Sequence, residues 1–385
     1  MSDPAPLLLD VSRLIWRAWV GRRPTGVDRV CLAYLRHYGP RAQAVVQHRH
    51  FRSILGRRAS AALFALLDQP GPSFRRDFTR LALRHSASRR GDGKGRLYLN
   101  VGHTGLDQDG FGRWVRNAQV RPLYFVHDLI PITHPHLCRA GERERHERRM
   151  RTVLDTAAGV IANSRATLQD LNDFAAAEQR RAGPQLAAFL GVTPLPRTAP
   201  SSRAPDAPSF VVLGTIEARK NHLFLLHLWS HLIERMGAAA PRLLIIGQRG
   251  WEAEQVEDWL DRSDRLRTRV TELNHCSDEE LAAHLGSARA LLFPSLAEGY
   301  GLPLVEALGA GVPVIASNLP VFREIGQDMV TLLNPLDGPS WEREVLDYAR
   351  PDSEARDRQV RRLAEFHTPT WVDHFATVDD WLVRF

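Results

Sequence analysis

Short apolar runs bounded by glycine, proline or polar residues recur along the chain. Runs that are apolar throughout predict strands of a parallel sheet, because such strands are buried on both faces. Longer stretches with a helical period separate them, which predicts an α/β fold. Residues 52–95 show no clear strand pattern. The predicted strands cover residues 6–11, 96–102, 122–126, 159–164, 187–192, 210–213, 242–247, 270–273, 290–293 and 312–316.

A break in this pattern divides the chain in two. Residues 194–208 contain five prolines and no hydrophobic period, which is typical of a linker. The 385 residues also exceed what a single core ordinarily organises. We therefore predict α/β domains at 1–200 and 201–366, followed by an amphipathic helix within 367–385.

Charge is distributed unevenly between these domains. Residues 1–200 hold 32 Lys and Arg against 16 Asp and Glu, a net of +16, whereas residues 201–385 hold 19 against 28, a net of −9. A basic half attracts nucleic acid, anionic lipid headgroups or a phosphorylated substrate. A helix predicted at 74–84 has arginines on one face and apolar residues on another, which fits either an anionic membrane surface or an ordinary packed surface helix.

The sequence contains no pattern for membrane insertion or export. No apolar run approaches the roughly 20 residues that span a bilayer. Residues 1–6 lack the basic and apolar segments of a signal peptide. We therefore expect a cytoplasmic protein.

The most informative stretch joins the strands predicted at 290–293 and 312–316. Gly299 and Gly301 allow backbone amides to approach a ligand closely, and Pro303 suits the first turn of a following helix. A helix that starts at the carboxyl edge of a parallel sheet directs unpaired N–H groups and the positive end of its dipole at an anion. A phosphate is therefore expected at this position.

Two carboxylates flank the expected phosphate. Glu298 precedes the helix and Glu306 lies within it. Ionised carboxylates repel phosphate and accept hydrogen bonds from hydroxyl groups, so they are expected to hold groups on either side of it. The arrangement fits a diphosphate that links two sugars.

The Glu-x7-Glu spacing, the Gly-x-Gly-Leu-Pro loop and the following Gly-Val-Pro-Val strand resemble the signature of retaining glycosyltransferase family 4, which has the GT-B fold. The resemblance implies two Rossmann-like domains, doubly wound around parallel sheets and facing a central cleft, with a C-terminal helix that crosses back to the first domain. It implies that Glu298 contacts the donor sugar and Glu306 the ribose of the nucleotide. The same donor site would include Gly299, Tyr300, Gly301 and Leu302.

A second strand, loop and helix predict another phosphate contact. The strand at 210–213 is followed by Gly214 and Thr215, and then by Arg219 and Lys220, one of only two lysines in the chain. Two cations and backbone amides would neutralise a leaving diphosphate. The family carries a basic pair here, which by resemblance implies Lys220 and Arg219. Thr215 stands where the first arginine usually lies, so Arg219 would reach the phosphate differently.

Two positions of the first half also match the family. His127 follows the strand at 122–126 and faces the crevice of the sheet. The resemblance implies that it aligns the transferred sugar, by donating to a hydroxyl or by passing charge through a neighbouring carbonyl. Gly26, between the first strand and its helix, matches a glycine that lies against the donor diphosphate and the acceptor. The alternatives are a structural histidine and a plain helix N-terminus.

Together these features predict a retaining enzyme that moves a hexose, with mannose as the leading choice, from a nucleotide diphosphate sugar to a hydroxyl. No metal or other cofactor is expected, because Arg219, Lys220 and the helix start would carry the phosphate charge. The basic first half favours a lipid-diphosphate-linked glycan as acceptor, at the inner membrane surface, as in bacterial surface polysaccharide synthesis. No nucleic acid partner is expected, since no recognition motif accompanies the charge. The alternatives are a nucleotide-sugar epimerase or sugar phosphorylase of the same fold, or a non-catalytic basic binding protein.

Overall fold

The computed structural model describes residues 7–21, 24–85, 91–196 and 207–385. The strands in these residues are β1 (Leu7–Asp10), β2 (Ala42–His48), β3 (Phe51–Ile54), β4 (Leu97–Asn100), β5 (Arg121–Val126), β6 (Gly159–Ala162), β7 (Gln185–Ala187), β8 (Ser209–Leu213), β9 (Arg242–Ile246), β10 (Val270–Leu273), β11 (Ala290–Phe293), β12 (Val314–Ser317) and β13 (Thr331–Leu333).

Helices connect most of these strands. None of the helices in the described part of the chain is both long and apolar enough to cross a bilayer. They are α1 (Ser12–Val20), α2 (Gly26–Tyr38), α3 (Arg57–Asp68), α4 (Phe74–Arg84), α5 (Phe111–Ala118), α6 (Ile130–Thr133), α7 (Glu142–Thr156), α8 (Arg165–Ala177), α9 (His222–Met236), α10 (Glu254–Arg262), α11 (Asp264–Arg267), α12 (Asp278–Ser287), α13 (Leu302–Gly309), α14 (Pro320–Ile325), α15 (Gly338–Ala349), α16 (Glu354–Leu363) and α17 (Trp371–Leu382).

The chain divides into two compact units. The first unit consists of Met1–Thr133, Gly141–Leu190 and Trp371–Phe385, and the second of His134–Ala140 and Gly191–Thr370. Each unit is built around one sheet.

The sheet of the first unit has the order β3-β2-β1-β4-β5-β6-β7. All neighbouring strands are parallel except β2 and β3, which form an antiparallel pair at one edge. Because β2 and β4 lie on opposite sides of β1, the loops that follow β1 and β4 diverge. This divergence is the switch point at which open α/β sheets bind ligands.

The sheet of the second unit has the order β10-β9-β8-β11-β12-β13, and all its neighbours are parallel. Its switch point lies between β8 and β11, where Val211 is in register with Leu291. Two fully buried tryptophans support the sheet. The indole N–H of Trp229 donates to the carbonyl of Pro241 (2.9 Å), and that of Trp341 donates to the carbonyl of Asn334 (3.0 Å).

Most predicted strands are confirmed, with instructive exceptions. The strand predicted at 187–192 is wrong over most of its length, because β7 ends at Ala187. The pattern missed β2, β3 and β13. In β2, Gln43 and Gln47 are buried, so the strand does not appear as an apolar run. Nε2 of Gln43 donates to the carbonyl of Leu55 (2.8 Å), and Nε2 of Gln47 donates to Asp10 (2.5 Å).

The C-terminal helix α17 packs within the first unit. His374 bonds through Nδ1 to the carbonyl of Phe189 (2.8 Å) and through Nε2 to the hydroxyl of Tyr34 (3.0 Å). Farther along the helix, Asp379 accepts hydrogen bonds from Tyr38 (2.9 Å) and Arg41 (2.6 Å). These polar contacts fix the position of α17 against α2 and against the segments that contain Arg41 and Phe189.

Gly247, directly after β9, packs closely against the loop that follows β8. An added Cβ would lie 1.9 Å from the carbonyl oxygen of Gly214. Gly247→Ala should therefore destabilise the protein by roughly 1–3 kcal/mol, as overpacking does, in urea unfolding.

Gly286→Ala is the matched control. This glycine lies within α12, and an added Cβ meets nothing within 4 Å. We expect it to be neutral or stabilising by about 0.5–1 kcal/mol. Equal stabilities of the two variants would show that the loops are looser than described.

Candidate functional site

The loops that follow β8 and β11 meet at the switch point of the second sheet. After β8 the chain passes Gly214 and Thr215, forms a 3-10 turn at Ala218–Lys220 and enters α9. The backbone N–H of Leu296, in the loop after β11, donates to the carbonyl of Arg219 (2.8 Å). The two loops therefore form one connected surface at the carboxyl edge of the sheet.

Glu298 joins the same loops through its side chain. Its Oε2 accepts a hydrogen bond from Nη1 of Arg219 (2.8 Å), and its Oε1 accepts from Nζ of Lys220 and from the hydroxyl of Ser295 (2.9 Å). Nη2 of Arg219 also pairs with Glu217 (2.6 Å). The side chains of Glu298 and Lys220 are only 7% and 9% exposed. Two cations and two carboxylates thus form a largely buried network.

The charges of this network hold one another in place. Burial alone would raise the pKa of Glu298, but the cations of Arg219 and Lys220 outweigh it and lower that pKa from 4.5 to about 2. Burial lowers the pKa of Lys220, while Glu298 opposes that shift. The carboxylate is therefore ionised at neutral pH and remains a partner for both cations.

Helix α13 starts directly after this loop. Gly301 has a φ of +111°, and an added Cβ there would lie 2.8 Å from the ring of Phe322, so glycine is required. Pro303 occupies the first turn, as predicted. Tyr300 and Leu302, on either side of Gly301, are buried and anchor the turn. The first N–H groups of the helix are thereby held at the carboxyl edge of the sheet.

The other residues predicted for this site lie on the same elements. Gly214 has a φ of +135°, and an added Cβ would lie 3.4 Å from Cε of Lys220. Thr215 is exposed, and Gly299 and Glu306 are half-buried. The structure brings Gly214, Arg219, Lys220 and Glu298 into contact, and the roles of all these residues toward a ligand stay predictions. One difference stands out: the cations expected to face a phosphate are engaged by carboxylates.

Sequence reasoning missed three side chains of this site. Glu217 and Ser295 hold Arg219 and Glu298 in place. His222, at the start of α9, is 1% exposed, and neither ring nitrogen has a hydrogen-bond partner in the described part of the chain. Burial and the charge of Lys220 lower the pKa of His222 to about 3, so the ring is neutral. The signal for Glu217 and His222 was their position beside the basic pair, and the signal for Ser295 was its position three residues before Glu298.

His127 and Gly26 belong to the first unit. Nε2 of His127 lies 2.7 Å from the carbonyl oxygen of Val101, so this nitrogen carries the proton and donates it. Burial lowers the pKa of His127 to about 4. The remaining nitrogen of a neutral ring, Nδ1, accepts hydrogen bonds, and the role of His127 toward a sugar hydroxyl stays a prediction. Its carbonyl accepts from Nδ2 of Asn163 (2.8 Å).

Gly26 is the exposed first residue of α2. Thr25 before it donates through both its backbone N–H and its hydroxyl to Asp28 (2.7 Å each). This geometry is that of a capped helix start. It accounts for Gly26 as a helix N-terminus, and contact with a diphosphate or an acceptor stays a prediction.

The buried carboxylate of Glu298 should make the stability of the protein depend on pH. Because the pKa of Glu298 is lower in the folded than in the unfolded chain, its contribution to stability is present above pH 4.5 and is lost as the pH falls towards 2. Between about pH 5 and about pH 3, the wild type should lose about 2 kcal/mol more unfolding free energy than Glu298→Gln. Urea unfolding at each pH measures this difference.

The exposed Glu365 provides the control, since Glu365→Gln should leave the pH dependence unchanged. If Glu298→Gln follows the wild-type curve over the same range, the carboxylate is not buried among cations as described.

Comparison with known proteins matches residues 207–348 to the family described as Glycosyl transferases group 1. The chain is 29% identical over 229 residues to the serotype-specific mannosyltransferase WbdA of Escherichia coli, which aligns 56% of this chain with 28% of that protein. It is 31% identical over 159 residues to the O-antigen chain mannosyltransferase B of Escherichia coli, covering 41% of each chain. The chain thus spans less than half the length of these relatives.

Solved structures show the same architecture. A crystal structure of Anabaena Alr3699/HepE in complex with UDP and glucose is similar with a TM-score of 0.68 at 15% identity, over 99% of this chain and 100% of that one. Sucrose-phosphate synthase from Thermosynechococcus elongatus gives a TM-score of 0.62 at 18% identity, over 98% of each chain. The predicted fold is therefore confirmed as two parallel-sheet α/β units of the GT-B glycosyltransferase type. The resemblance to a glycosyltransferase family is confirmed for residues 207–348, which match the family described as Glycosyl transferases group 1, and the narrower assignment to family 4 stays a prediction.

Proposed function

We propose that this protein is a glycosyltransferase that moves a sugar from a nucleotide diphosphate donor to a hydroxyl of a bacterial surface polysaccharide. The observation that carries the proposal is the buried network of Arg219, Lys220 and Glu298 beside the start of α13. It lies at the carboxyl edge of a doubly wound sheet, where nucleotide ligands bind. The match of this same segment to a glycosyltransferase family supports the assignment.

In this proposal the diphosphate lies against the first turn of α13. Backbone N–H groups and the helix dipole favour its charge there, and Gly301 keeps side-chain bulk away. Lys220 and Arg219 turn part of their hydrogen bonding from Glu298 to the phosphate oxygens. Glu298 then has an oxygen available to accept a hydroxyl of the donor sugar, and Glu306 accepts from the ribose.

The chemistry requires stabilisation of the leaving diphosphate. Arg219 and Lys220 supply two positive charges in a site shielded from water, where electrostatic stabilisation is strong. We infer that these cations serve in place of a metal ion. We also infer that the departing phosphate takes the acceptor's proton on the face from which the sugar leaves, which retains the anomeric configuration as in glycosyltransferase family 4.

The sugar and the acceptor are inferred from the relatives. WbdA and the O-antigen chain enzyme are named mannosyltransferases, which favours mannose as the transferred sugar. A structural neighbour binds UDP and glucose, so UDP sugars belong in a donor screen. GDP sugars are screened beside them, because the sequence does not reveal which base is used. The basic first half favours an acceptor glycan linked to a lipid diphosphate.

Two substitutions separate donor binding from chemistry. Glu306→Ala should raise the donor KM by about tenfold, because a hydrogen bond from a hydroxyl to a charged group is lost in ground and transition states alike. Lys220→Ala should lower kcat by about a hundredfold or more, because charge stabilisation of the leaving group is lost. Steady-state transfer kinetics with the donor found in the screen measure both.

Glu365→Ala, on the exposed surface, serves as the control. Unchanged kinetics in both site variants would place the donor elsewhere. Product analysis with and without acceptor distinguishes the rival functions, since an epimerase changes the donor without acceptor and a phosphorylase requires phosphate. Salt-sensitive binding to polynucleotide, without any response to nucleotide sugars, would instead favour a basic binding protein.

We further propose that the protein works at the cytoplasmic membrane surface through α1 and α4. Trp16 and Trp19 of α1 are 50% and 40% exposed, and Leu83 of α4 is 71% exposed. Nε of Arg75 in α4 donates to the carbonyl of Trp19 (2.6 Å), so the two helices present their exposed groups together. Tryptophan beside arginine suits the interface of an anionic bilayer.

The full chain should sediment with anionic vesicles at low salt and not with zwitterionic ones. The double substitution Trp16→Ser with Trp19→Ser should weaken this binding by about tenfold, because indole burial in the interface is lost. Phe51→Ser, which removes a 53% exposed aromatic on β3, should not change it. Equal binding by all three proteins, or no sedimentation at all, would refute the membrane proposal.

A further inference from the structure

The carboxyl edge of the first sheet carries a cluster of arginines and histidines, separate from the network of Arg219, Lys220 and Glu298 in the second unit. Arg13 and Arg17 lie on α1, directly after β1. His103 follows β4 and His127 follows β5, and β1, β4 and β5 are neighbours in the sheet. Arg149 approaches from α7. These side chains therefore converge at the switch point of the first unit.

Direct contacts connect the members of this cluster. The ring of His103 lies 5.3 Å from that of His127 and 5.8 Å from that of His146, which precedes Arg149 by about one helical turn. Arg13 packs on Gly102, where an added Cβ would lie 2.8 Å from Cβ of Arg13. The absence of a side chain at residue 102 thus makes room for Arg13 beside the His103 loop.

The three histidines contribute no charge here. Nε2 of His103 bonds to the carbonyl of Phe125 (2.8 Å), that of His127 to Val101 (2.7 Å) and that of His146 to Asp128 (3.0 Å). Burial lowers the pKa of each ring. The positive charge of the cluster therefore comes from its arginines.

Both arginines of α1 pair with the same buried carboxylate. Asp28 is 1% exposed and pairs with Nε of Arg13 (2.6 Å) and with Nε of Arg17 (2.8 Å). The guanidinium groups of Arg13 and Arg17 thus share this carboxylate. The side chain of Arg13 is 31% exposed, so a ligand can reach it from solvent.

Arg149 has a longer ion pair than Arg13 has. Its Nε is buried and has no hydrogen-bond partner in the described residues. Nε of Arg149 lies 3.7 Å from a carboxylate oxygen of Asp107, which makes its shorter bond to Arg145 (2.8 Å). Glu142 also lies toward Arg145 (3.4 Å). A buried donor left without a partner destabilises the folded protein, and an anion bound at this position would offset that cost.

We propose that Arg13 and Arg149 form a second anion site, which holds a phosphate group of the acceptor. Guanidinium groups match phosphate oxygens in bidentate geometry, and Asp28 and Gly102 position Arg13 for that contact. The identity of the ligand as acceptor rests on the proposed function, whereas the presence of the site does not. Nδ1 of the neutral His127, beside this site, would accept a hydrogen bond from a hydroxyl group of the bound acceptor.

Inorganic pyrophosphate is a suitable probe, titrated calorimetrically into the full chain at constant ionic strength. The wild type should show two classes of binding, one at the start of α13 and one at Arg13 and Arg149. Arg149→Gln should weaken one class by about tenfold or more, and Lys220→Ala should weaken the other. Arg148→Gln, an exposed neighbour on α7, should retain both classes.

Arg13→Gln, on a different helix, provides a second test if Arg149→Gln unfolds, as judged by the melting temperature. It should weaken the same class as Arg149→Gln. Retention of both classes in a folded Arg149→Gln or Arg13→Gln protein would overturn the site. Binding of nucleoside diphosphate, measured in the same variants, reports on the second unit alone, so failure of the donor assignment and failure of this site give different results.

Discussion

The site in the second unit depends on one buried carboxylate. Glu298 is held by Arg219, Lys220 and Ser295, and through them it joins the loops that follow β8 and β11. An ionised group at 7% exposure is stable only because two cations and a hydroxyl surround it. Removing either cation would leave the buried carboxylate less fully compensated. The same network that stabilises these loops therefore also concentrates the charges that a diphosphate requires.

The first unit also has a buried carboxylate at the carboxyl edge of its sheet, but neutral groups surround it. Asp10, at the end of β1, accepts from Tyr98 (2.8 Å), Gln47 (2.5 Å) and the backbone of Ser12 (3.0 Å), so hydrogen bonds rather than cations hold it. Burial raises the pKa of Asp10, although these bonds oppose the shift. Arg13 and Arg17 pair with Asp28, and they bring two positive charges to the same edge of the sheet. Each unit thus presents cations at its switch point by different means.

Much of the architecture follows from the sequence, because parallel strands buried on both faces leave continuous apolar runs. The helix start at Gly301 and Pro303 was also predictable, since glycine and proline have specific backbone requirements there. Strands β2, β3 and β13 were not. In β2, buried glutamines interrupt the apolar pattern, and their hydrogen-bond partners lie far away in sequence. The pairing of Glu298 with Lys220 was missed for the same reason, since spacing along the chain cannot show which charges meet.

In the proposed mechanism, the buried cations of the second unit exchange a carboxylate for a diphosphate. A crystal structure of the full chain with a nucleotide diphosphate sugar tests it most directly. In that structure, phosphate oxygens should lie against the first turn of α13 and against Lys220 or Arg219, and Glu298 should be turned toward a sugar hydroxyl. A nucleotide bound elsewhere, with Glu298 and its two cations unchanged and no phosphate beside them, would contradict it.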